Sequence, residues 1–243
     1  MEFFDRIYLM NESDLHRKFK KQMASFLKPG TFYLCAWKPQ VILQVFNKMQ
    51  EGDILLYADS GCHLNKKGTK RLSEYFKIVQ DSETGILATV FGEGMPEKHW
   101  TKGDTFDFFH CRDNPQITDT PQIQATTLLI KKSATTIAFL KQWLNVFEVD
   151  PDQANRGLFK RENLPGFQDH RSDQSFFSIL GKLHQIDLVS ADEVQGSAQW
   201  ETKMIDFPIW AMRDKELDNS FWANPSFRRA IAKAKRIIMN RLN

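Results

Sequence analysis

Gly52-Asp53-Ile54-Leu55-Leu56-Tyr57-Ala58-Asp59-Ser60-Gly61-Cys62 is the stretch that decides the fold. Ile54 to Ala58 carry no formal charge and have strong strand character. The run stops at an acid, a small hydroxyl residue and a glycine. A buried parallel strand reaching the carboxyl edge of its sheet ends this way and delivers one carboxylate into a crevice. Such a carboxylate can hold a divalent cation, and the cation can hold a diphosphate. The plainer alternative is that Asp59 opens a turn completed by Gly61.

The flanking segments alternate. Upstream, Phe3 to Met10 reads as a short strand, and Ser13 as the cap of a helix running to about Phe26, which Pro29-Gly30 stops. Trp37-Lys38-Pro39 opens a second helix, with Pro39 in the first turn, where its missing N–H costs nothing. Downstream, Lys66 to Gln80 is predicted helical, Gly85 to Phe91 a strand and Thr101 to His110 a short helix. Gln122 to Lys131 reads as a strand, and Ser133 caps a helix that buries Ile137, Leu140, Trp143, Leu144 and Phe147. Asp150 to Gln168 is a long loop, of the kind that forms lids and binding loops. A helix over Asp173 to Leu183 and a strand over Ile186 to Ser190 follow. Residues 191–224 read as irregular. The order predicts an α/β domain with a mostly parallel sheet and helices on both faces. That domain spans residues 1–224, and a basic amphipathic helix occupies 225–243.

Composition narrows the function. The chain has 243 residues, 42% apolar and 26% charged, the balance of an ordinary globular protein. Twenty Phe and six Trp suit a large aromatic core, an aromatic-lined cleft, or both. No apolar run approaches the ~20 residues of a membrane span, and the N-terminal residues lack a signal-peptide pattern. Three scattered cysteines, with no CxxC pair, argue against a disulfide framework or structural zinc and for the cytoplasm. The net charge is +3, but residues 225–243 alone carry +6 and no acid, so the remainder is −3. That asymmetry argues against a nucleic-acid binder, which spreads positive charge over a face. In the terminal segment, Phe227, Ile231, Ala234, Ile238 and Leu242 form one apolar stripe. It fits packing on its own domain, or attachment to an anionic membrane surface or to a partner.

The second dense cluster is Gly166-Phe167-Gln168-Asp169-His170-Arg171-Ser172-Asp173-Gln174-Ser175. It lies at a helix N-terminus, where free N–H groups favour anions. A capped helix start, with Ser172 or Asp173 as cap and His170 and Arg171 at the surface, is the structural alternative.

Taken in order, Trp37-Lys38-Pro39, the strand ending Tyr57-Ala58-Asp59-Ser60-Gly61-Cys62, and His170-Arg171-Ser172-Asp173-Gln174-Ser175 resemble bacterial glycosyltransferases of the GT-A fold that build capsule and lipopolysaccharide glycans. The resemblance covers roughly residues 3–190. It implies a hexosyltransferase that moves a sugar from a nucleotide-sugar donor to a glycan or lipid-linked acceptor, in the cytoplasm and peripheral to the inner membrane. The donor would lie against Trp37, Lys38, Tyr57, Asp59, Ser60 and Arg213, and the acceptor against His170 and Arg171. Asp173 and Gln174 would be catalytic. Asp59 would hold Mn²⁺ or Mg²⁺, although the first acid of the usual Asp-x-Asp is here Tyr57. Two departures point to a rival, a catalytically inactive sugar-nucleotide or glycan-binding module. One is Tyr57. The other is that the chain begins at what looks like the second strand of such enzymes, so that the first βα unit either has been lost or precedes Met1 in the natural protein.

Overall fold

The computed structural model describes residues 4–24, 35–195 and 200–212. A four-stranded sheet runs in the order β1 (Ile54–Ala58), β4 (Ile123–Lys131), β3 (Ile86–Val90), β5 (Asp187–Ser190). β4 is antiparallel to both β1 and β3, and β3 is parallel to β5. Three strands therefore share one direction, as expected of a mostly parallel sheet. The reversed β4 between two of them makes the sheet mixed.

β4 is buried along its length up to Lys131, because helices cover both faces. Ile123, Ala125, Leu128 and Ile130 belong to the larger core. That core is shared with α1 (Arg17–Met23), α2 (Trp37–Phe46), α7 (Ala134–Val149) and α8 (Asp173–Leu183). Leu129 joins the opposite layer, where α3 (Thr69–Asp81) buries Leu72, Tyr75 and Val79. The aromatic surplus is largely structural. Trp143 is fully buried with its ring 4.9 Å from that of Phe177, which also meets Phe139 edge-on. Replacing such a tryptophan by alanine costs about 3–5 kcal/mol. Ser133 caps α7 as expected, accepting the Thr136 N–H while the Thr136 hydroxyl accepts the Ser133 N–H.

Several elements depart from the sequence reading. Residues 4–10 join no sheet. Phe4 is drawn edge-on to Phe76 of α3 and Met10 to the larger core, so side-chain anchors replace ladder hydrogen bonds. Asn11, not Ser13, caps the first turn, a short 3₁₀ helix at Glu12–Asp14. The helices α4 (Glu97–Trp100), α6 (Pro115–Thr118) and α9 (Trp200–Lys203) are single turns too short to show a period. Between α4 and α6 lies α5 (Gly103–Phe108), the core of the short helix expected over 101–110.

Two features set the site. The ladder between β1 and β4 reaches one residue past β1, where the Asp59 N–H donates to the Thr126 carbonyl at 3.0 Å. Asp59 is thereby fixed at the strand end. Beyond it, β2 (His63–Leu64) pairs with β6 (Ile209–Trp210). Gly68 lets residues 207–208 pass, since a Cβ there would lie 2.3 Å from the Phe207 carbonyl carbon. This crossing carries Ala211 to the end of β1. Among the described residues, no helix is long and apolar enough to cross a membrane. The basic segment 225–243 and Arg213 lie outside the described residues.

Candidate active-site cleft

A cavity of about 320 Å³ opens at the end of β1, lined by Trp37, Lys38, Asp59, Ser60, Cys62 and Thr126 among others. Lys38 organises it. α2 begins at Trp37, so Lys38 and Pro39 sit in its first turn. Lys38 is only 8% exposed. Its Nζ lies 2.9 Å from Asp173 Oδ2 and 3.4 Å from Asp59 Oδ1, and it donates to the Ala125 carbonyl at 3.3 Å. The Asp173 contact is the closer of the two ion pairs. Three segments far apart in sequence thus meet at one ammonium.

The electrostatics follow from burial. Desolvation pulls the Lys38 pKa down, but Asp173 and then Asp59 outweigh it, and the group is held above its ordinary value. Lys38 is therefore a fixed cation throughout the physiological range. Tyr57 donates its hydroxyl to Asp59 Oδ1 at 2.6 Å. Burial, and then the nearby Asp59 carboxylate, push that phenol strongly up, so it remains a donor. The Trp37 ring, which lines the cleft, lies 6.4 Å from the Tyr57 ring. The Cys35 thiol hydrogen-bonds to Asp173, and burial, then Asp173, push it up to about 12.

Asp173 opens α8 through an unusual backbone. Ser172 precedes it at φ 50°, in the left-handed region that a residue with a Cβ rarely adopts. The Ser172 hydroxyl donates to the Ala154 carbonyl instead of capping the helix. The strained residue is thus tied to the loop after α7, and the turn aims Asp173 at Lys38. Strain of this kind clusters at functional sites.

Trp37, Lys38, Asp59 and Ser60 therefore line one cleft, with Tyr57 joined to it through Asp59 and Asp173 through Lys38, while three other expected site residues have different partners. His170 is completely buried, which corrects the expectation that it touches an acceptor. Its Nδ1 accepts the Lys102 N–H and its Nε2 donates to the Gln153 carbonyl at 2.8 Å. Burial, aided by Lys102, lowers its pKa to about 3, so it is neutral and holds the loop together. Arg171 lies over the Trp100 ring, 4.4 Å from its centre. Gln174 donates to Gln122 Oε1 at 2.6 Å, at the start of β4. Cys35, Cys62, Thr126 and Ala211 also line the cavity, and the sequence reading did not assign them to the site. Cys35, two residues before Trp37, was within reach of that reading, whereas Ala211 carries no signal. His63 in β2 is exposed.

The Mn²⁺ or Mg²⁺ expected on Asp59 does not fit the residues as they stand. Among the described residues, no three of His, Cys, Asp and Glu converge. Both carboxylates of the cleft already share the Lys38 ammonium, and one Asp59 oxygen also holds the Tyr57 hydroxyl.

No family model and no curated protein matches this chain. Among solved structures, it is similar to apo mouse xyloside xylosyltransferase 1, with 15% sequence identity and a TM-score of 0.42. The match covers 80% of this chain and 70% of that one. So distant a likeness assigns no activity, and the functional reading rests on the cleft.

Proposed function

We propose that this chain is a glycosyltransferase that moves a sugar from a nucleoside-diphosphate sugar to a glycan or lipid-linked acceptor in surface polysaccharide synthesis. The observation that carries the reading is the buried Lys38–Asp173 pair, with opposite charges 2.9 Å apart at the end of a sheet strand. In glycosyl transfer the bond from the anomeric carbon to the phosphate oxygen breaks. Positive charge grows on the sugar and negative charge on the departing phosphate. A fixed carboxylate beside a fixed ammonium complements that dipole, and it does so most strongly when charge separation is greatest.

In this reading Asp173 faces the anomeric carbon and Lys38 the glycosidic phosphate. Asp59 and the Ala125 carbonyl keep Lys38 in place, and Tyr57 keeps Asp59 in place. The acceptor hydroxyl forms the new bond to the anomeric carbon, and its proton leaves on the phosphate oxygen. Trp37 offers an apolar face for a sugar or base ring. Arg171 stacked on Trp100 is a candidate acceptor contact near the start of α8. The basic segment 225–243 would hold the enzyme at an anionic leaflet where a lipid-linked acceptor resides.

The test is a thermal-shift screen of nucleoside-diphosphate sugars, since a ligand of the native state raises the melting temperature. At least one donor is expected to raise it in wild type and to lose the effect in Lys38→Met. No shift with any donor, or an undiminished shift in the variant, would end this reading.

A further inference from the structure

We propose that the Lys38 ammonium is the built-in cation of this cleft, occupying the place where a divalent ion would otherwise sit between Asp59 and Asp173. The geometry is that of a counter-ion. Nζ lies 2.9 Å from one carboxylate and 3.4 Å from the other, and a backbone carbonyl at 3.3 Å fills a further direction. Carboxylate and carbonyl oxygens gathered around one point are also the ligands that hard divalent cations take. Here an amine tethered to α2 has that point.

A metal ion would have two ways in, and both are unfavourable. It could displace the ammonium, which is 8% exposed and would then lose its ionic partners. Or it could bind the outer side of Asp59 with a positive charge a few ångströms away, where repulsion between cations is strong at reduced dielectric. The substitution of the usual first acid by Tyr57 agrees with this account. A second carboxylate at position 57 would add negative charge beside Asp59, whereas the Tyr57 hydroxyl donates to Asp59 and lowers its need for a cation. The unliganded protein therefore holds no divalent ion in this cleft. Removing the amine while keeping side-chain length turns Asp59 and Asp173 into a metal site. The inference concerns the same cleft as the proposed activity, but it does not depend on glycosyl transfer.

The experiment titrates Mn²⁺ into wild type, Asp59→Asn, Lys38→Met and Lys38→Met/Asp59→Asn without any donor, and follows the free-ion signal by electron paramagnetic resonance. Wild type is expected to leave that signal unchanged. Lys38→Met is expected to remove the equivalent of one ion per chain, and the double variant to lose that binding. Should Lys38→Met prove too unstable for titration, its melting temperature is read instead, and Mn²⁺ should raise it in the variant and not in wild type. Stoichiometric Mn²⁺ binding by wild type that Asp59→Asn abolishes would overturn the proposal. So would a Lys38→Met protein that neither binds Mn²⁺ nor is stabilised by it. Neither outcome bears on whether nucleotide sugars bind, which the donor screen reads separately.

Discussion

Neutralising Asp173 tests whether the ion cluster is built as described. Asp173→Asn removes the nearer of two carboxylates from Lys38, in a pair 2.9 Å apart whose side chains are each 9% exposed. Breaking a buried pair by removing one charge typically costs about 3–5 kcal/mol. Lys38 keeps Asp59 at 3.4 Å and the Ala125 carbonyl at 3.3 Å, and asparagine still offers an oxygen. Those survivors bring the expected loss to about 2–3 kcal/mol, a drop of roughly 4–12 °C in melting temperature for a chain of this size. Lys38→Met leaves both carboxylates without their cation and should cost more, about 3–5 kcal/mol. Asp59 is 29% exposed and more weakly paired, so Asp59→Asn should cost about 1 kcal/mol or less. Urea unfolding of the three variants, with unchanged m-values, gives the ranking. An Asp173→Asn protein within about 0.5 kcal/mol of wild type would refute the argument. So would Asp59→Asn as the most damaging of the three.

Further expectations follow from the groups around that cluster. With its thiol pushed up to about 12, Cys35 should alkylate at pH 8 about a thousandfold more slowly than an ordinary thiol. Asp173→Asn should speed it several-fold, as peptide mass spectrometry would show, and equal rates in the two proteins would mean that Asp173 does not act on the thiol. His170 should make the fold acid-sensitive. Its folded pKa of about 3 lies below the ordinary 6.5, so the unfolded chain takes up a proton that the folded chain refuses. That contribution is complete above pH 6.5 and is lost as pH falls toward 3. His170→Leu should flatten the slope of stability against pH in that window. It should also lower stability at neutral pH by about 1–3 kcal/mol through the orphaned Lys102 N–H. An unchanged slope would show that another group sets it.

Much of this architecture is written locally in the chain. Ile54–Ala58, Ile123–Lys131 and Asp173–Leu183 fall within a residue of where apolar runs, periodicity and flanking punctuation put them. The direction of β4 was not legible. A strand buried on both faces shows the same unbroken apolar pattern whichever way it runs, and only its partners decide. Residues 4–10 have the composition of a strand, but Phe4 and Met10 are anchored by side-chain packing and not by a ladder, which is a tertiary fact. At the site, Asp59 and Asp173 stand out because each ends or opens an element. Their shared partner was legible only as a lysine at a helix start. Nothing in Trp37-Lys38-Pro39 says that the side chain turns inward. His170 shows the opposite error. A histidine in a polar cluster reads as a surface ligand, and only packing against Lys102 and Gln153 reveals a buried, neutral spacer.

The central claim is that the Lys38–Asp173 pair transfers a sugar from a nucleoside diphosphate. Release of nucleoside diphosphate from a panel of sugar nucleotides, measured side by side for wild type and Asp173→Asn, tests it most directly. Wild type should turn over at least one donor. The variant should still bind that donor yet lose at least about a hundredfold in turnover, the scale on which a group that stabilises transition-state charge contributes. Wild-type release from no donor, or an Asp173→Asn rate equal to wild type, would contradict the assignment.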